Sequence, residues 1–508
     1  MNLPKFKSLL SLIILLTLLF SFLILYNIRE NTIKLSLYPY GKNYAFTITD
    51  DPDGNTLDKI SPVYNYFRKS RLKTTAAVWV FRPERTNGQP DLSLLEHPEK
   101  KESWPRDTCE RLEYLAYMQQ LKSEGFEIAL HGASSGNDLR EVTNRGYEQF
   151  RDYFGGYPKI NIMHKQNLEN VYWGNKVVSN KILQSVLGFL TNRAKIPFSG
   201  EIPSSEYFWG DILKSKTKYV RLFGTSDINT LKFNPSMPYY DPGKPYINYW
   251  FSFSDGSTPE LFSQLLSEEN ISRLAKERGA CIIYTHFANG FAKDGKLHHS
   301  FKESIDRLIA EPGGWFVTCS KLLDRLLLMK RVFLTKSEKA LMVYNLNEEP
   351  VNGITLLVYP NDEYFDFDGN IYRANKEGEI IIDSLNSYQG IVLSRNKDYL
   401  HEINNSEIKL KFIEFKEAIY IKNSELSSII DLRTACDKIQ KIYDLSGAEY
   451  NLNKKKEIVI NQFLITKSIV LLKNDKHLKQ QTKGLYLIEE LNLIYRRALL
   501  YLKHNKYH

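Results

Sequence analysis

Two adjacent carboxylates, Asp50 and Asp51, follow an apolar, strand-like segment at residues 44–49. The strand ends at Pro52, because proline cannot donate a hydrogen bond to a sheet ladder. Two neighbouring negative charges at the end of a buried strand are costly unless something neutralises them. A divalent metal ion would neutralise one carboxylate and leave the other free to act as a base. These residue types therefore predict a metal site with an adjacent base.

A purely structural interpretation accounts for the same residues. In an Asp-rich turn, Asp53 or Asn55 would cap the helix that follows, and no chemistry would be involved. The motif taken alone leaves both interpretations open.

The segments around the Asp pair alternate between helical and strand-like patterns. Residues 61–69 and 109–123 have helical spacing of apolar side chains, while residues 74–81 and 126–130 have the pattern of buried strands. The second of these strands ends at His131. This alternation predicts a parallel sheet, and active-site residues collect at the carboxyl ends of parallel strands.

Taken together, these segments resemble the polysaccharide deacetylase family (NodB homology, carbohydrate esterase family four). The resemblance covers roughly Leu35–Arg331, and it implies a distorted (β/α) barrel that uses a divalent metal to remove N- or O-acetyl groups from sugars. By motif, Asp50 corresponds to the family's catalytic base, Asp51 to its metal-binding aspartate and His131 to the first histidine of its second motif. The segment Cys281–His286 resembles the strand that ends in the family's general-acid histidine.

The sequence departs from the family pattern at Ser135, which stands where the second motif normally supplies another histidine. His164 follows a short apolar stretch. It would complete the metal triad at a strand end, or have no ligand role in a loop. Asp227 would orient the acid histidine, or be a turn residue. Trp209 and Trp173 would be platforms for a sugar, or buried aromatics.

The resemblance implies a metal-dependent deacetylase acting on a surface or exported polysaccharide. Mixed nitrogen and oxygen ligands suit zinc, with cobalt, nickel and manganese as alternatives. A different interpretation is a catalytically inactive barrel that binds glycan as a scaffold among polysaccharide-assembly proteins. A glycosidase is a third, but adjacent side chains on one turn do not flank a glycosidic bond at the ~5 Å or more that this chemistry requires.

The rest of the chain predicts three further regions around a barrel at residues 35–331. The hydrophobic period changes to two after Val332, which predicts a small β-sandwich over residues 332–400. Residues 401–508 are predicted to be mostly helical, with helices over 426–445, 458–473 and 483–502.

At the amino end, Ser8–Ile28 is an uncharged run of roughly 21 residues, long enough to cross a bilayer as a helix. Lysines precede it and no cleavage site follows, so residues 1–34 are predicted to be a single-pass membrane anchor with the catalytic part outside the cytoplasm. The net charge of +9 over 508 residues is compatible with an anionic glycan or lipid surface and does not require nucleic acid.

Overall fold

The structure of the chain is a computed structural model. It describes residues 33–83, 106–165, 167–178, 184, 197–405, 410–423, 429–431, 441–446, 448–451, 457–459 and 468–477. Two compact units are present. One is built around Lys42–Leu327, and the other around Leu328–Leu478 together with the described residues before Lys42. The first described strand, β1 (Lys34–Leu35), belongs to the second of these units.

Seven parallel strands close into a barrel in the first unit. They are β2 (Tyr44–Asp50), β3 (Thr75–Val78), β4 (Glu127–Leu130), β5 (Ile160–Asn161), β6 (Tyr219–Thr225), β7 (Tyr249–Asp255) and β8 (Ala280–Thr285). Each strand pairs with the next one along the chain, and β8 pairs back to β2, which closes the ring. After the hairpin of β9 (Ala292–Lys293) and β10 (Lys296–Leu297), β11 (Gly314–Phe316) adds to the start of β2. The distorted (β/α) barrel predicted from the sequence is confirmed.

Helices follow most of the strands. They are α1 (Leu57–Ser70), α2 (Leu112–Ser123), α3 (Arg140–Phe154), α4 (Gly210–Lys216), α5 (Thr230–Phe233), α6 (Pro259–Leu265), α7 (Glu268–Lys276), α8 (His299–Ala310) and α9 (Cys319–Met329). In α1 the buried residues are Ile60, Val63, Tyr64 and Phe67. Their spacing of three and four residues places them on one face of the helix. That face packs into the hydrophobic core that also contains the strands.

The two faces of β2 have different surroundings. The strand is buried along its whole length, as expected where helices cover one face of a parallel sheet and other strands enclose the other. Phe46 and Ile48 point outward into the core shared with α1. Thr49 points inward, since its hydroxyl accepts a hydrogen bond from the guanidinium of Arg221 on β6. This alternation decides which way the carboxylates that follow will point.

The second unit begins with a small β-sandwich. One sheet contains β12 (Val332–Lys336), β13 (Leu341–Asn345) and β18 (Gly390–Leu393); the other contains β1, β14 (Val351–Leu357) and β17 (Glu379–Leu385). The hairpin of β15 (Glu363–Phe365) and β16 (Ile371–Arg373) lies between β14 and β17 in the chain. Both sheets are antiparallel and share one core, in which Val343 and Ile354 are fully buried. The predicted period-two pattern therefore corresponds to strands, while the predicted domain boundaries stay a prediction.

Beyond α10 (Lys397–Asn405), the structure differs from the predicted helices. The described residues form β19 (Leu410–Glu414), β20 (Ala418–Asn423), β21 (Ile429–Asp431), β22 (Lys441–Asp444), β23 (Glu449–Asn451), β24 (Glu457–Val459) and β25 (Ser468–Leu472). The helices predicted over 426–445 and 458–473 are wrong for these residues, because β-branched runs such as Ile469–Val470 favour strands over helices. The helix predicted over 483–502 lies outside the described residues.

The predicted membrane anchor, Ser8–Ile28, also lies outside the described residues. Among the helices in the described part of the chain, none has both the length and the apolar character needed to cross a bilayer. This finding contradicts the single-pass membrane localisation predicted from the sequence.

A glycine in α3 allows that helix to approach the segment after His131. A Cβ atom at Gly146 would lie 2.5 Å from the Cβ of Ala133. We expect Gly146→Ala to lower the free energy of unfolding by about 1–3 kcal/mol, because overpacking outweighs the gain in helix propensity. Urea unfolding followed by tryptophan fluorescence measures this change.

The matched control is Gly156→Ala, since a Cβ atom at Gly156 would meet nothing within 4 Å. This variant should unfold close to the wild-type midpoint. A Gly146→Ala protein as stable as the control would contradict the close packing of α3 on Ala133.

Candidate metal centre

The chain turns sharply at the end of β2. Gly54 has a φ of +73°, a backbone conformation that glycine adopts without strain. The N–H of Asp51 donates to the carbonyl of Thr285 at 2.9 Å, which ties the turn to the end of β8. Asp51 and Asp53 therefore lie beside the residues that follow β8.

Helix α1 does not use Asp53 or Asn55 as its cap. Its N-cap residue is Thr56, and the side chain of Thr56 makes no capping hydrogen bond. The N–H of Leu57 donates instead to Oδ2 of Asp107 at 2.9 Å. The structural interpretation of Asp53 is therefore wrong, and its carboxylate is available for other contacts.

Asp53 lies at the centre of three histidines from three different strand ends. Its Oδ2 is 3.5 Å from Nε2 of His131, which follows β4, and 3.4 Å from Nε2 of His286, which follows β8. Its Oδ1 is 3.3 Å from Nε2 of His164, which lies three residues after β5. The rings of His131 and His164 are in edge contact, with their centroids 5.6 Å apart.

These separations suit atoms that share a metal ion. Hydrogen bonds between nitrogen and oxygen usually measure about 2.7–3.2 Å. Two ligand atoms that are each about 2.1 Å from a tetrahedral zinc ion lie roughly 3.4 Å from one another. The observed distances from Asp53 to the three histidines are 3.3, 3.5 and 3.4 Å. The donor set therefore fits a divalent metal.

The surroundings of His131 support the same conclusion. Both of its ring nitrogens are buried, and neither has a hydrogen-bond partner among the described residues. An unpaired buried imidazole is costly unless a ligand satisfies it. A nitrogen of His131 and one oxygen each of Asp51 and Asp53 lie within 4.8 Å of one another. The buried nitrogen of His131 thus faces two carboxylates.

Burial and charge shift the pKa values of these groups in different directions. Burial alone would raise the pKa of Asp53, but the three histidines lower it well below its ordinary value. Burial lowers the pKa of His131, so its imidazole is held neutral, which is the form that binds metal. For His164 and His286 burial would lower the pKa, but contact with Asp53 raises it above its ordinary value.

Asp51 has a different partner, the guanidinium of Arg221. The two groups form a buried bidentate ion pair across the barrel, with nitrogen–oxygen distances of 2.7 and 2.5 Å. The guanidinium also donates to Oγ1 of Thr49 at 3.0 Å and lies 4.6 Å from the ring centroid of Tyr284. These contacts compensate the cost of burying two charges. An ion pair without further hydrogen bonds would not recover that cost.

An irregularity in β6 accompanies Arg221. The register between β6 and β7 shifts between Arg221 and Gly224, and such bulges commonly re-aim a side chain. The guanidinium of Arg221 lies 5.0 Å from the ring centroid of Phe253. A Cβ atom at Gly224 would lie 2.8 Å from that ring. Glycine at position 224 therefore makes room for the ring that covers Arg221.

Asp50 points away from the inside of the barrel. It lies on the same face of β2 as Phe46 and Ile48, and its carboxyl group accepts hydrogen bonds from the Tyr64 hydroxyl at 3.0 Å and the Phe287 N–H at 2.8 Å. Burial raises the pKa of Asp50 to about 7. The structure thus separates the two neighbouring carboxylates that the sequence predicts as base and ligand.

Three other predicted site residues make contacts elsewhere. Among the described residues, Asp227 accepts a hydrogen bond from Arg273 at 3.1 Å rather than pairing with His286. Trp209 is buried in the core of the barrel. Trp173 packs against that core and donates from its indole N–H to the carbonyl of Lys165 at 3.0 Å. The structure therefore does not bring these three side chains together with the histidines.

Asp53 and Arg221 are site residues that the sequence patterns did not indicate. An aspartate before a helix is typical of an N-cap, although Asp53 shares a short turn with Asp51. Arg221 stands inside an otherwise apolar strand, and a buried arginine needs a carboxylate partner. That requirement is the sequence signal that could have identified the pair. Ser135 is buried, and its hydroxyl has no hydrogen-bond partner among the described residues.

No family model and no curated protein matches the sequence. Solved structures similar to this chain include a family 4 acetyl xylan esterase from Clostridium thermocellum in complex with a cobalt ion, at 14% identity, 55% coverage of this chain, 90% coverage of that chain and a TM-score of 0.25. A chitin deacetylase from the fungus Colletotrichum lindemuthianum is 12% identical, with 56% coverage of this chain, 89% coverage of that chain and a TM-score of 0.28. A mutant of the peptidoglycan deacetylase PdaC from Bacillus subtilis is 12% identical, with 56% coverage of this chain, 91% coverage of that chain and a TM-score of 0.25. At these identities and TM-scores the likeness carries no argument about the activity of this chain.

The buried ion pair gives a testable prediction for stability. Arg221→Met leaves the Asp51 carboxylate buried without its partner, so we expect the free energy of unfolding to fall by about 3–5 kcal/mol. Urea unfolding of chelator-treated protein measures the loss.

The control is the double variant Arg221→Met, Asp51→Asn, in which the unpaired charge is removed as well. This protein should recover a substantial part of the lost stability. Equal stability of Arg221→Met and wild type would show that Arg221 does not compensate Asp51.

Proposed function

We propose that this chain is a metal-dependent deacetylase that hydrolyses acetyl groups on a polysaccharide. The observation that carries the proposal is the contact of one carboxylate, Asp53, with His131, His164 and His286 at the carboxyl-terminal edge of the barrel. Active sites of (β/α) barrels lie at this edge. The substrate class, N- or O-acetylated sugars, comes from the motif resemblance of the aspartate pair and His131.

We assign the metal ligands to Asp53, His131 and His164. One carboxylate and two imidazoles suit zinc, and cobalt, nickel or manganese would accept the same donors. When bound, the ion supplies Lewis-acid activation of the acetyl carbonyl and of a water molecule. Three protein ligands leave a coordination position for these groups, as catalytic rather than structural zinc sites do.

Asp51 is the general base in this proposal, in place of Asp50. Arg221 holds both oxygens of Asp51, and each oxygen keeps a further lone pair that can accept a proton from water. Oδ2 of Asp51 lies 3.9 Å from Nε2 of His131, so the base adjoins the metal ligands. Asp50 points toward α1 and is occupied by two hydrogen bonds.

His286 is the general acid. Its Nε2 lies 3.2 Å from the Tyr284 hydroxyl and 3.4 Å from Oδ2 of Asp53, so two neighbours orient the ring. In the reaction the water oxygen bonds to the acetyl carbon while its proton passes to Asp51. His286 then protonates the amine nitrogen or the alkoxide oxygen as its bond to the acetyl carbon breaks, and acetate leaves.

Metal content tests the assignment of the ligands. Purified wild-type protein should bind one divalent ion per chain, while Asp53→Ala and His164→Ala should each bind it at least tenfold more weakly, because two remaining ligands compete poorly with water. Competition with a chromogenic chelator measures the affinity. Asp227→Ala is the matched control and should keep wild-type affinity, since Asp227 pairs with Arg273.

Variants of the two neighbouring aspartates should have different effects on turnover. Asp51→Asn should retain metal and lose roughly 10²–10⁴-fold in turnover, because a general base contributes about this much. Asp50→Asn should keep most of the activity, since an asparagine oxygen can accept from the Phe287 N–H and its amide can donate to the Tyr64 hydroxyl. Acetate release from acetylated glycans measures the rates, and circular dichroism checks that both variants fold.

If Asp50→Asn loses more turnover than Asp51→Asn, the general base is Asp50 rather than Asp51. Wild-type protein that binds no divalent metal and releases no acetate from any acetylated glycan would favour the scaffold interpretation.

A further inference from the structure

Asn167 contacts the ring of His164 on the side opposite to Asp53. Its Oδ1 lies 2.8 Å from Nδ1 of His164. The other ring nitrogen, Nε2, is the one that lies 3.3 Å from Oδ1 of Asp53. Asn167 and Asp53 therefore hold the two ends of one imidazole.

The orientation of the Asn167 amide is fixed by two further contacts. Its Nδ2 lies 2.5 Å from the carbonyl oxygen of Gly136 and 2.7 Å from Oε1 of Glu169. A carbonyl oxygen only accepts, so the atom facing it must be the amide nitrogen rather than the amide oxygen. The amide oxygen of Asn167 must then face His164.

This orientation determines where His164 carries its proton. An amide oxygen is an acceptor only, so the nitrogen that faces it, Nδ1, must carry a hydrogen. The lone pair of the neutral ring then resides on Nε2, which faces Asp53. Ligand histidines in metal sites are commonly fixed in this way by an acceptor on their other nitrogen.

We propose that Asn167 is a positioning residue that selects the Nδ1–H form of His164 and aims its Nε2 at the metal site. The inference rests on the proposed function insofar as it makes His164 a ligand. Gly136 follows His131 in the loop after β4, so Asn167 also connects the two loops that supply histidines to the site.

The chain offers variants that separate positioning from structural support. Asn167→Ala and Asn167→Asp both lose the hydrogen bonds donated to Gly136 and Glu169. Only Asn167→Asp keeps an oxygen that can accept from Nδ1 of His164. Burial and the neighbouring Asp138 raise the pKa of Glu169 well above its ordinary value, so a protonated Glu169 can donate to the introduced carboxylate.

A third variant controls for changes in the loop itself. Asn170 donates from its side chain to the main-chain carbonyl of His164 at 2.5 Å, so it supports the same residue without contacting the ring. Asn170→Ala removes a side-chain amide from the loop and leaves the contact between Asn167 and the imidazole in place.

The experiment combines nuclear magnetic resonance of protein labelled with ¹⁵N-histidine with zinc affinity by chelator competition. Metal-free wild type and Asn167→Asp should show a protected Nδ1–H proton on His164, and Asn167→Ala should not. Zinc affinity should fall about 10–100-fold in Asn167→Ala, a loss typical of residues that orient metal ligands. Asn167→Asp and Asn170→Ala should stay within a few-fold of wild type.

Equal losses of zinc affinity in Asn167→Ala and Asn167→Asp would overturn the inference, because they would show that only the donated hydrogen bonds matter. An unprotonated Nδ1 on His164 in wild-type protein would overturn it as well. If wild type binds no zinc, the proposed function fails, but the resonance of His164 in metal-free protein still tests the role of Asn167.

Discussion

Three carboxylates lie within four residues at the end of β2, and their mutual repulsion is the constraint on which the site depends. Each is satisfied in a different way. Asp50 turns toward α1 and accepts hydrogen bonds from a hydroxyl and an N–H, with its pKa raised to about 7. Asp51 pairs with Arg221, and Asp53 contacts three histidines. Side chains alternate between the two faces of β2, and the chain turns at Gly54. The three carboxylates therefore point in different directions, and each can make its own contacts.

The barrel brings residues from two neighbouring strand ends to the same carboxylate, Asp53. Adjacent parallel strands lie about 4.8 Å apart, so residues at the ends of two neighbouring strands can reach the same point. His131 follows β4 and His164 follows β5, and both reach Asp53. Under the proposed function, His164 would thus supply the imidazole that Ser135 does not, with its ring held by Asn167.

Much of this arrangement could be predicted from the sequence. Alternating helical and strand-like segments predict the barrel, and His131, His164 and His286 all follow strands whose carboxyl ends meet. The different partners of Asp50 and Asp51 could not be predicted, because these partners, Tyr64 and Arg221, are distant in sequence. Asp53 was missed because an aspartate before a helix has a common structural explanation. The C-terminal strands were not predicted because the apolar residues there also fit helical spacing. Short β-branched runs such as Ile429–Ile430 favour strands, but they are too short to outweigh that spacing.

In the proposed function, Asp53, rather than either member of the adjacent pair before it, joins His131 and His164 in holding a divalent ion. Anomalous X-ray diffraction from crystals of the zinc-loaded protein, recorded on both sides of the zinc absorption edge, locates the ion among these side chains. We expect one strong anomalous peak about 2.0–2.2 Å from a carboxylate oxygen of Asp53 and from Nε2 of both histidines. A peak coordinated by Asp50, or no peak among these residues in protein that binds zinc, would contradict it.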